Sequence, residues 1–569
     1  MKRIRHAYLA ALFCLASCGG TSPTSVEESS IESSEPSSSA SSASSASSTS
    51  SEFPTGQKID TDAVPQTQST DKFRTMYEIF PYSFADSDGD GIGDLMGAAD
   101  KLEYIHDLNY EGVWLTPVCP SPSYHKYDVL DYYAIDSKFG DLDTFDYFVE
   151  TAHSLGMTVL FDLVINHAAL NNEWFSLCAD AVANGETDNP YYGYFNIKQG
   201  KSGGDWYSVP GHSGYIYEGV FYSGMPDFNL QSVLDEPEGY LATEIRDICD
   251  FWLNDHNVDG FRLDAVTSYF TNDINKNTEF LTWLNTTCKE LKPDCYIVGE
   301  GSWNGDAAEN LAYQASGIDS FFNFVNTGVS AAYSVGKVIS SQSAGRLGYG
   351  MKESWRVAGE GVPANFIANH DRDRLVGVVG GRNNLAKAKM GHTLLSILPG
   401  AVFNYYGDEI GMAIPTGSSE NDPDRRLHMN WGDDYTPNDP PGHMAYTDAN
   451  KAYPYPSAAA QLLDSNSLLA HVRKANALRQ KFPEIARGRT ETIENYAPES
   501  GKPTITAISK VTEDSTIYIV VNPSTTEKVI YDFAALGNVT PKAELSVVGE
   551  STYSGHELYL APGSVVILK

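Results

Sequence analysis

The amino-acid sequence predicts an α/β fold: a (β/α)8 (TIM) barrel with an inserted domain after the third strand and a C-terminal antiparallel β-sandwich domain. The first observation is that eight short apolar runs, each followed by a segment of helical pattern, lie between residues 75 and 406. Such runs are typical of parallel strands that crossover helices cover on both faces. The second observation is that this pattern changes to short strands and turns after about residue 475.

The barrel prediction rests on the order and spacing of the apolar runs. The eight predicted strands are Thr75–Phe80, Gly112–Pro117, Met157–Asp162, Gly260–Asp264, Tyr296–Glu300, Asp319–Phe324, Asn365–Asp371 and Ala401–Tyr406. Asp100–Leu108 and Leu241–Asn254 are predicted crossover helices. Roughly 100 residues separate the third and fourth runs, whereas a crossover needs about a dozen. The sequence therefore predicts a barrel over residues 71–166 and 236–474, with an inserted domain over 167–235.

The C-terminal region has the pattern of a separate β domain. Thr504–Lys510, Thr516–Val521 and Ser554–Ile567 are predicted strand segments, with turn residues between them. We expect residues 475–569 to form this domain.

The N-terminus resembles a bacterial export signal. Three basic residues precede an apolar stretch, Ala7–Ala16, which is about half the length of a membrane-spanning helix. The stretch leads into Leu-Ala-Ser-Cys-Gly, which resembles the bacterial lipobox. We expect residues 1–17 to be a signal peptide and Cys18 to be lipidated, anchoring the protein to the membrane on its extracellular face. The alternative is a plain secretory signal with an incidental cysteine.

A Ser-rich segment follows this signal. From Ser22 to Ser51, 17 of 30 residues are Ser. Such a segment cannot bury enough apolar area to offset the entropy of ordering it. We therefore predict a flexible linker over residues 18–70.

Charge and cysteine content exclude other classes of protein. The 39 Lys and Arg against 74 Asp and Glu give a net charge of −35, which repels phosphate backbones and excludes nucleic acid as a partner. Five cysteines remain after Cys18, an odd number that cannot all pair internally. Cys288 and Cys295 are close enough in sequence to bridge, but buried free thiols are the preferred interpretation. We expect a monomer.

Polar residues end four of the predicted strands. In a (β/α)8 barrel the carboxyl ends of the strands meet on one face, where active sites form. An Asp at a strand end often caps the following helix, so each residue alone has a structural explanation. Four strand ends together predict an active site. Its candidate residues are Asp162, Asn166 and His167 on the third strand, Arg262 and Asp264 on the fourth, Glu300 on the fifth, and Asn369, His370 and Asp371 on the seventh.

This pattern resembles glycoside hydrolase family 13, the α-amylase family, over roughly residues 72–569. The resemblance implies that Asp264 is the nucleophile, Glu300 the general acid/base and Asp371 the stabiliser of the transition state. It also implies that His167 and His370 contact the sugar that precedes the cut, and an α-glucan substrate such as starch or maltooligosaccharides.

Other matching residues surround this predicted acid trio. Arg262 corresponds to the arginine that holds the nucleophile ionised. His125-Lys126-Tyr127 resembles the family's His-Gly-Tyr, whose Tyr stacks on the same sugar, although Lys126 replaces the usual Gly. Trp303, three residues after Glu300, is a candidate stacking platform for a neighbouring glucose.

The family chemistry explains why these residue types are required. Retaining cleavage needs two carboxyl groups about 5–5.5 Å apart, one attacking the anomeric carbon and one protonating the leaving oxygen. A cation beside Asp264 favours its ionised form, while partial burial and neighbouring carboxylates favour protonated Glu300. Asp371 then offsets the developing oxocarbenium charge.

Specificity within the family is left open by conflicting motifs. Met225–Leu230 (Met-Pro-Asp-Phe-Asn-Leu) resembles a form intermediate between the oligo-1,6-glucosidase and neopullulanase types. Ala265 and His125 favour α-1,4 cleavage of the amylase type. Thr267-Ser268 stand where many amylases have a Lys-His pair that contacts sugar and calcium. We expect an endo-acting α-amylase; the alternatives are an exo-acting α-glucosidase, a neopullulanase-like enzyme, or a non-catalytic glycan-binding subunit.

A loop after the first strand has alternating carboxylates around Gly turns, the pattern that supplies oxygen ligands to Ca²⁺. It lacks the Glu at position twelve of a full EF-hand. The resemblance to this branch of the family predicts a structural Ca²⁺ site. Its ligands are the side chains of Asp86, Asp88, Asp90 and Asp94 and the carbonyl of Ile92. The alternative is an acidic solvated loop.

Overall fold

The computed structural model describes residues 56–303, 307–324, 334–416, 421–497 and 502–569. The predicted signal peptide, the lipidation site Cys18 and the Ser-rich stretch lie outside the described residues. We number strands and helices in chain order from residue 56.

Eight parallel strands close into a barrel, which confirms the predicted fold class. The strands, in order around the barrel, are β2 (Thr75–Ile79), β3 (Gly112–Leu115), β4 (Thr158–Leu163), β8 (Gly260–Leu263), β9 (Tyr296–Gly299), β10 (Ser320–Asn323), β11 (Ala364–Phe366) and β12 (Ala401–Tyr405). Each lies within, or within one residue of, a predicted apolar run. Large buried side chains fill the barrel interior, including Trp114, Phe322 and Phe403.

Seventeen α-helices lie in the described residues, and most of them connect the strands of the barrel. They are α1 (Pro81–Phe84), α2 (Leu95–Asp100), α3 (Leu102–Asp107), α4 (Leu142–Ser154), α5 (Glu173–Asn184), α6 (Leu230–Asp235), α7 (Tyr240–Asp250), α8 (Ile274–Leu291), α9 (Ala307–Tyr313), α10 (Val335–Ser341), α11 (Gly345–Ala358), α12 (Leu375–Val378), α13 (Leu385–Ser396), α14 (Asp422–Arg425), α15 (Ala458–Leu462), α16 (Leu468–Lys481) and α17 (Glu484–Arg487). The crossover helices predicted near residues 100 and 241 correspond to α3 and α7.

The long connection between β4 and β8 has a sheet of its own. Its antiparallel strands are β5 (Ile197–Gln199), β6 (Trp206–Ser208) and β7 (Tyr215–Glu218), in the order β5-β7-β6. Phe195, which precedes β5, and Phe228, which follows β7, stack with their ring centroids 4.6 Å apart. An inserted module after the third barrel strand is therefore present.

The C-terminal region is a β-sandwich of two antiparallel sheets. One sheet has the order β13-β14-β15-β20-β17, and the other has β1-β18-β19-β16. The strands are β1 (Gln57–Lys58), β13 (Ile493–Tyr496), β14 (Ile505–Val511), β15 (Thr516–Asn522), β16 (Val529–Asp532), β17 (Pro541–Ser546), β18 (Thr552–Ser554), β19 (Glu557–Leu560) and β20 (Ser564–Leu568). Buried side chains from both sheets, such as Val520 and Leu558, form one shared core.

Two predicted boundaries are wrong. The border at residue 475 falls inside α16, which packs on α13 of the barrel, so the β domain begins after α17. The linker predicted up to residue 70 ends earlier, because Gln57–Lys58 pairs with β18. Its later residues also bond the barrel: Gln66 donates to the Gln480 side chain at 2.6 Å and the Ser69 N–H to Glu111 at 2.6 Å. We call residues 56–70 the N-terminal strap.

Cysteines in the described part of the chain are all unpaired and buried, as expected. They are Cys119, Cys178, Cys249, Cys288 and Cys295. Among the described residues, no helix is both long enough and apolar enough to cross a membrane.

Candidate active site

One buried arginine connects the predicted acids. Arg262, on β8, is 1% exposed. Its Nη1 donates to Asp264 Oδ1 at 2.7 Å and to Asp162 Oδ1 at 2.9 Å, and its Nη2 lies 3.4 Å from Glu300 Oε1. The residues alternate along β8, so Arg262 and Asp264 reach the same side of the strand end. The predicted nucleophile and the predicted acid/base are thus neighbours at one guanidinium.

Glu300 has the environment that a general acid needs. It is buried, and its Oε2 accepts a hydrogen bond from the Ala265 N–H at 2.8 Å. Ala265 adopts a left-handed φ of 51°, a backbone strain that is common at functional sites. Burial raises the pKa of Glu300 to about 7, with the charges of Asp264 and Asp371 acting in the same direction against Arg262.

Asp371 is held by two cations. His370 Nε2 lies 3.0 Å from Asp371 Oδ2, and Arg426 Nη2 lies 2.6 Å from Asp371 Oδ1. Burial alone would raise the pKa of Asp371, but these two charges hold it well below its usual range. Burial would likewise lower the pKa of His370, but Asp371 and Glu78 raise it to about 10. The site therefore contains an ionised Asp371 beside a protonated imidazole and a protonatable Glu300.

The predicted sugar-stacking Tyr127 lies at the centre of this cluster. Its hydroxyl donates to Asp162 Oδ2 at 3.1 Å and lies 2.7 Å from His370 Nε2. His167 is 2% exposed, and its Nε2 atom lies 3.2 Å from the Tyr127 carbonyl oxygen. Burial lowers the pKa of His167, so its neutral form, donating to that carbonyl, is favoured. The ring of His125 is 6.0 Å from that of Tyr127.

Two exposed aromatic rings come from different segments, one three residues after Glu300 and one in the inserted module. Trp303 is 41% exposed, and its ring stacks on that of Phe324 with the centroids 5.6 Å apart. The guanidinium of Arg372 lies 4.8 Å from the centre of the Trp303 ring. Phe221, 50% exposed, comes from the inserted module, and its ring lies 5.1 Å from that of His167. Exposed rings of this kind suit the apolar faces of glucose units.

Three residues that contact the site are not among the residues that the sequence patterns predict. Glu78 on β2 accepts from His370 Nδ1 at 2.6 Å, and Phe221 joins the site from the inserted module. Arg426 lies after α14, and it also donates to the His370 carbonyl at 3.0 Å and to the Tyr124 hydroxyl at 3.1 Å. A strand-end search could have found Glu78 alone, because the other two lie on long connections.

The acidic loop after β2 brings together only part of the predicted calcium ligand set. Carboxylate oxygens of Asp86, Asp88 and Asp94 lie within 4.8 Å of one another, a spacing that fits a divalent cation and its oxygen ligands. Asp90 is not among this group, and its Oδ1 accepts from the Ile92 N–H at 2.7 Å.

Comparison with known proteins agrees with the fold and identifies the family. The family model described as alpha amylase, catalytic domain, matches residues 78–488. The chain is 32% identical over 501 residues to α-amylase 3 of Dictyoglomus thermophilum, covering 87% of this chain and 92% of that protein. It is 26% identical over 550 residues to an α-glucosidase of Apis mellifera, covering 86% and 91% respectively.

A solved structure, Amy13B of Eubacterium rectale, superposes with a TM-score of 0.80 at 33% identity, covering 91% of this chain and 99% of that one. The chain belongs to the α-amylase family of glycoside hydrolases, family 13, and acts on α-glucans.

Proposed function

We propose that this protein is a retaining α-amylase that hydrolyses internal α-1,4-glucosidic bonds of starch and maltooligosaccharides by double displacement. The observation that carries the proposal is the contact of one buried guanidinium, Arg262, with the carboxylates of both Asp264 and Glu300. Double displacement needs a nucleophile and a proton donor as close neighbours, whereas inverting enzymes leave room for a water between them.

Each acid has a separate role in this mechanism. Asp264 attacks the anomeric carbon, while protonated Glu300 gives its proton to the departing glucosidic oxygen. Glu300, now ionised, takes a proton from the water that releases the sugar from Asp264 with retained configuration. Asp371, held ionised by His370 and Arg426, offsets the oxocarbenium charge in both transition states.

Endo action is the finer part of the proposal. The exposed rings of Phe221 and Trp303, beside His167 and Arg372 respectively, support stacking platforms at more than one glucose subsite. An exo-acting α-glucosidase or a neopullulanase-like enzyme is the second candidate, favoured by the similarity to an α-glucosidase over most of the chain. A non-catalytic glycan-binding subunit is the third, and the complete acid trio argues against it.

A time course of products from maltoheptaose, amylose and pullulan tests this proposal, with Asp264→Asn as the matched inactive variant. Mixed-length maltooligosaccharides released early from amylose are expected. Glucose alone, released stepwise from maltoheptaose, would support the exo-glucosidase, and rapid cleavage of pullulan would support the neopullulanase type. Reducing-sugar release that is equal in the Asp264→Asn variant would contradict the catalytic assignment.

We also propose, from the sequence alone, that Cys18 is lipidated and holds the enzyme on the extracellular face of the membrane. The test is detergent phase partitioning of the protein expressed in a bacterial host, compared with a Cys18→Ser variant. We expect the parent protein in the detergent phase and the variant in the aqueous phase. Identical partitioning of the two would contradict the anchor.

A further inference from the structure

Lys126 lies between two predicted sugar contacts, His125 and Tyr127, in a conformation unusual for lysine. Its φ is 66°, in the left-handed region that side chains with a Cβ rarely adopt. Its side chain is also almost completely buried, with the residue 3% exposed. A strained backbone and a buried ammonium each cost free energy, so the surrounding contacts must hold this residue in place.

An ion pair inside the protein supplies the first of these contacts. Lys126 Nζ lies 2.6 Å from Asp136 Oδ2 and donates to the Ser121 carbonyl oxygen at 3.3 Å. Asp136 is 8% exposed and also accepts from the Ser121 N–H at 3.3 Å. Both charges are thus buried and paired. Together with Ser121, they connect the two ends of the loop between residues 121 and 136.

A second set of bonds fixes the segment before Lys126. Buried Asp128 accepts from the hydroxyls of Ser121, at 2.7 Å, and Ser123. Ser123 Oγ also accepts from the Lys126 N–H at 3.2 Å and lies 3.1 Å from His125 Nδ1. The position of the His125 ring therefore depends on the same network that holds Lys126.

The segment after Lys126 leads directly to the acids. Tyr127 reaches Asp162 and His370 through its hydroxyl and His167 through its carbonyl oxygen. A rotation of the backbone at residue 126 would move the Tyr127 hydroxyl away from Asp162 and His370, and its carbonyl oxygen away from His167. We propose that Lys126 is a positioning residue, whose ion pair with Asp136 holds His125 and Tyr127 in the orientation that receives the sugar. This inference rests on the proposed role of that loop as a glucose-binding surface.

The test compares variants that separate backbone strain from the ion pair. Lys126→Gly relieves the positive φ but removes the ammonium, and Lys126→Gly with Asp136→Asn removes both charges, so no carboxylate is left buried without a partner. Lys138→Ala is the matched control, because Lys138 is an exposed lysine of the same loop region. We measure kcat, KM and the melting temperature for each variant with maltoheptaose.

We expect kcat/KM to fall at least tenfold in both Lys126 variants, with the melting temperature recovered in the double variant, and no change in Lys138→Ala. A purely stabilising role predicts instead that activity returns with the melting temperature. Activity of Lys126→Gly equal to that of the parent protein would overturn the proposal, because it would mean that only the left-handed backbone is required.

A double-mutant cycle shows whether Lys126 acts through Tyr127. We expect Lys126→Gly to lower kcat/KM by clearly less than tenfold when Tyr127→Ala is already present, since one of the two residues that it positions is then missing. A full tenfold loss in that background would contradict positioning through Tyr127. An inactive parent protein would refute the proposed function itself, whereas an active parent with unaffected Lys126 variants would refute this inference alone.

Discussion

At the level of single residues, the proposed mechanism requires different protonation states of Glu300 and Asp371. Burial favours protonated Glu300, while His370 and Arg426 keep Asp371 ionised. At one pH, the same buried cluster therefore contains a protonated carboxyl group that can donate a proton and an ionised one that can stabilise positive charge.

Glu300→Gln should lower hydrolysis of maltooligosaccharides by about 10³-fold, because the amide keeps the shape but has no acidic proton to give. Binding of the substrate should change little, as Gln still accepts from the Ala265 N–H. α-Maltosyl fluoride is the control substrate, since fluoride leaves without a proton. Because Glu300 also activates water in the second step, kcat/KM is compared, which reports only the steps up to the glycosyl-enzyme. A variant whose kcat/KM falls equally on both substrates would contradict the role as general acid.

The pH profile of the parent enzyme follows from the same residue. Glu300 must be protonated, and its pKa is raised to about 7, so the active form is lost as pH rises through 7. We expect kcat/KM to fall about tenfold per pH unit on the alkaline side. A profile that is flat from pH 6 to 9 would contradict this assignment.

Arg426 holds Asp371 with a geometry that only a guanidinium can provide. Arg426→Lys keeps the charge but cannot contact Asp371, the His370 carbonyl and Tyr124 together. We expect kcat to fall about ten- to a hundredfold, measured with maltoheptaose. The neighbouring Arg425→Lys is the control, because Arg425 pairs with Asp422. Equal effects of the two substitutions would exclude a specific role for Arg426.

At the scale of elements, the loop after β2 is the candidate calcium site. We expect a chelator to lower the melting temperature, because an ion bound only to the folded state stabilises it. Asp88→Asn should abolish this shift. Asp90→Asn should retain most of it, since Asp90 is not among the carboxylates that converge. A melting temperature that is the same with chelator and with added Ca²⁺ would count against the site.

The N-terminal strap is the other element with a measurable role. Thr61 exchanges two hydrogen bonds with Glu544, at 3.2 and 2.9 Å, and its carbonyl accepts from Lys481 at 2.9 Å. Removing residues 1–64 should therefore cost about 2–4 kcal/mol, at roughly 1 kcal/mol per bond lost. We expect a melting temperature several degrees lower than that of a protein that begins at residue 56, and equal values would contradict a stabilising strap.

At the scale of the whole molecule, the sequence predicts the barrel well because each buried strand is a continuous apolar run. It also predicts that Arg262, Asp264, Glu300 and Asp371 lie together, because these residues stand at or beyond the ends of strands that must meet. It fails for the strap, because residues 56–70 contain few apolar residues that would indicate a folded segment. It also fails for the end of the barrel, because α16 continues across residue 475.

Contacts between distant segments explain the rest of what sequence analysis missed. Arg426 reaches Asp371 from 55 residues away, and Glu78 reaches His370 from 292 residues away. No local pattern encodes such pairs. They depend on the closed barrel, in which β12 lies between β11 and β2, so that Glu78 and Arg426 both reach the segment that follows β11.

Trapping of the glycosyl-enzyme intermediate is the decisive experiment for double displacement at Asp264. The parent protein is incubated with 5-fluoro-α-glucosyl fluoride, which forms the intermediate faster than water releases it, and the labelled peptide is located by mass spectrometry. We expect one sugar per protein, attached to Asp264 and absent in Asp264→Asn. A label on Glu300 or Asp371, or a product of inverted configuration with no label, would contradict double displacement at Asp264.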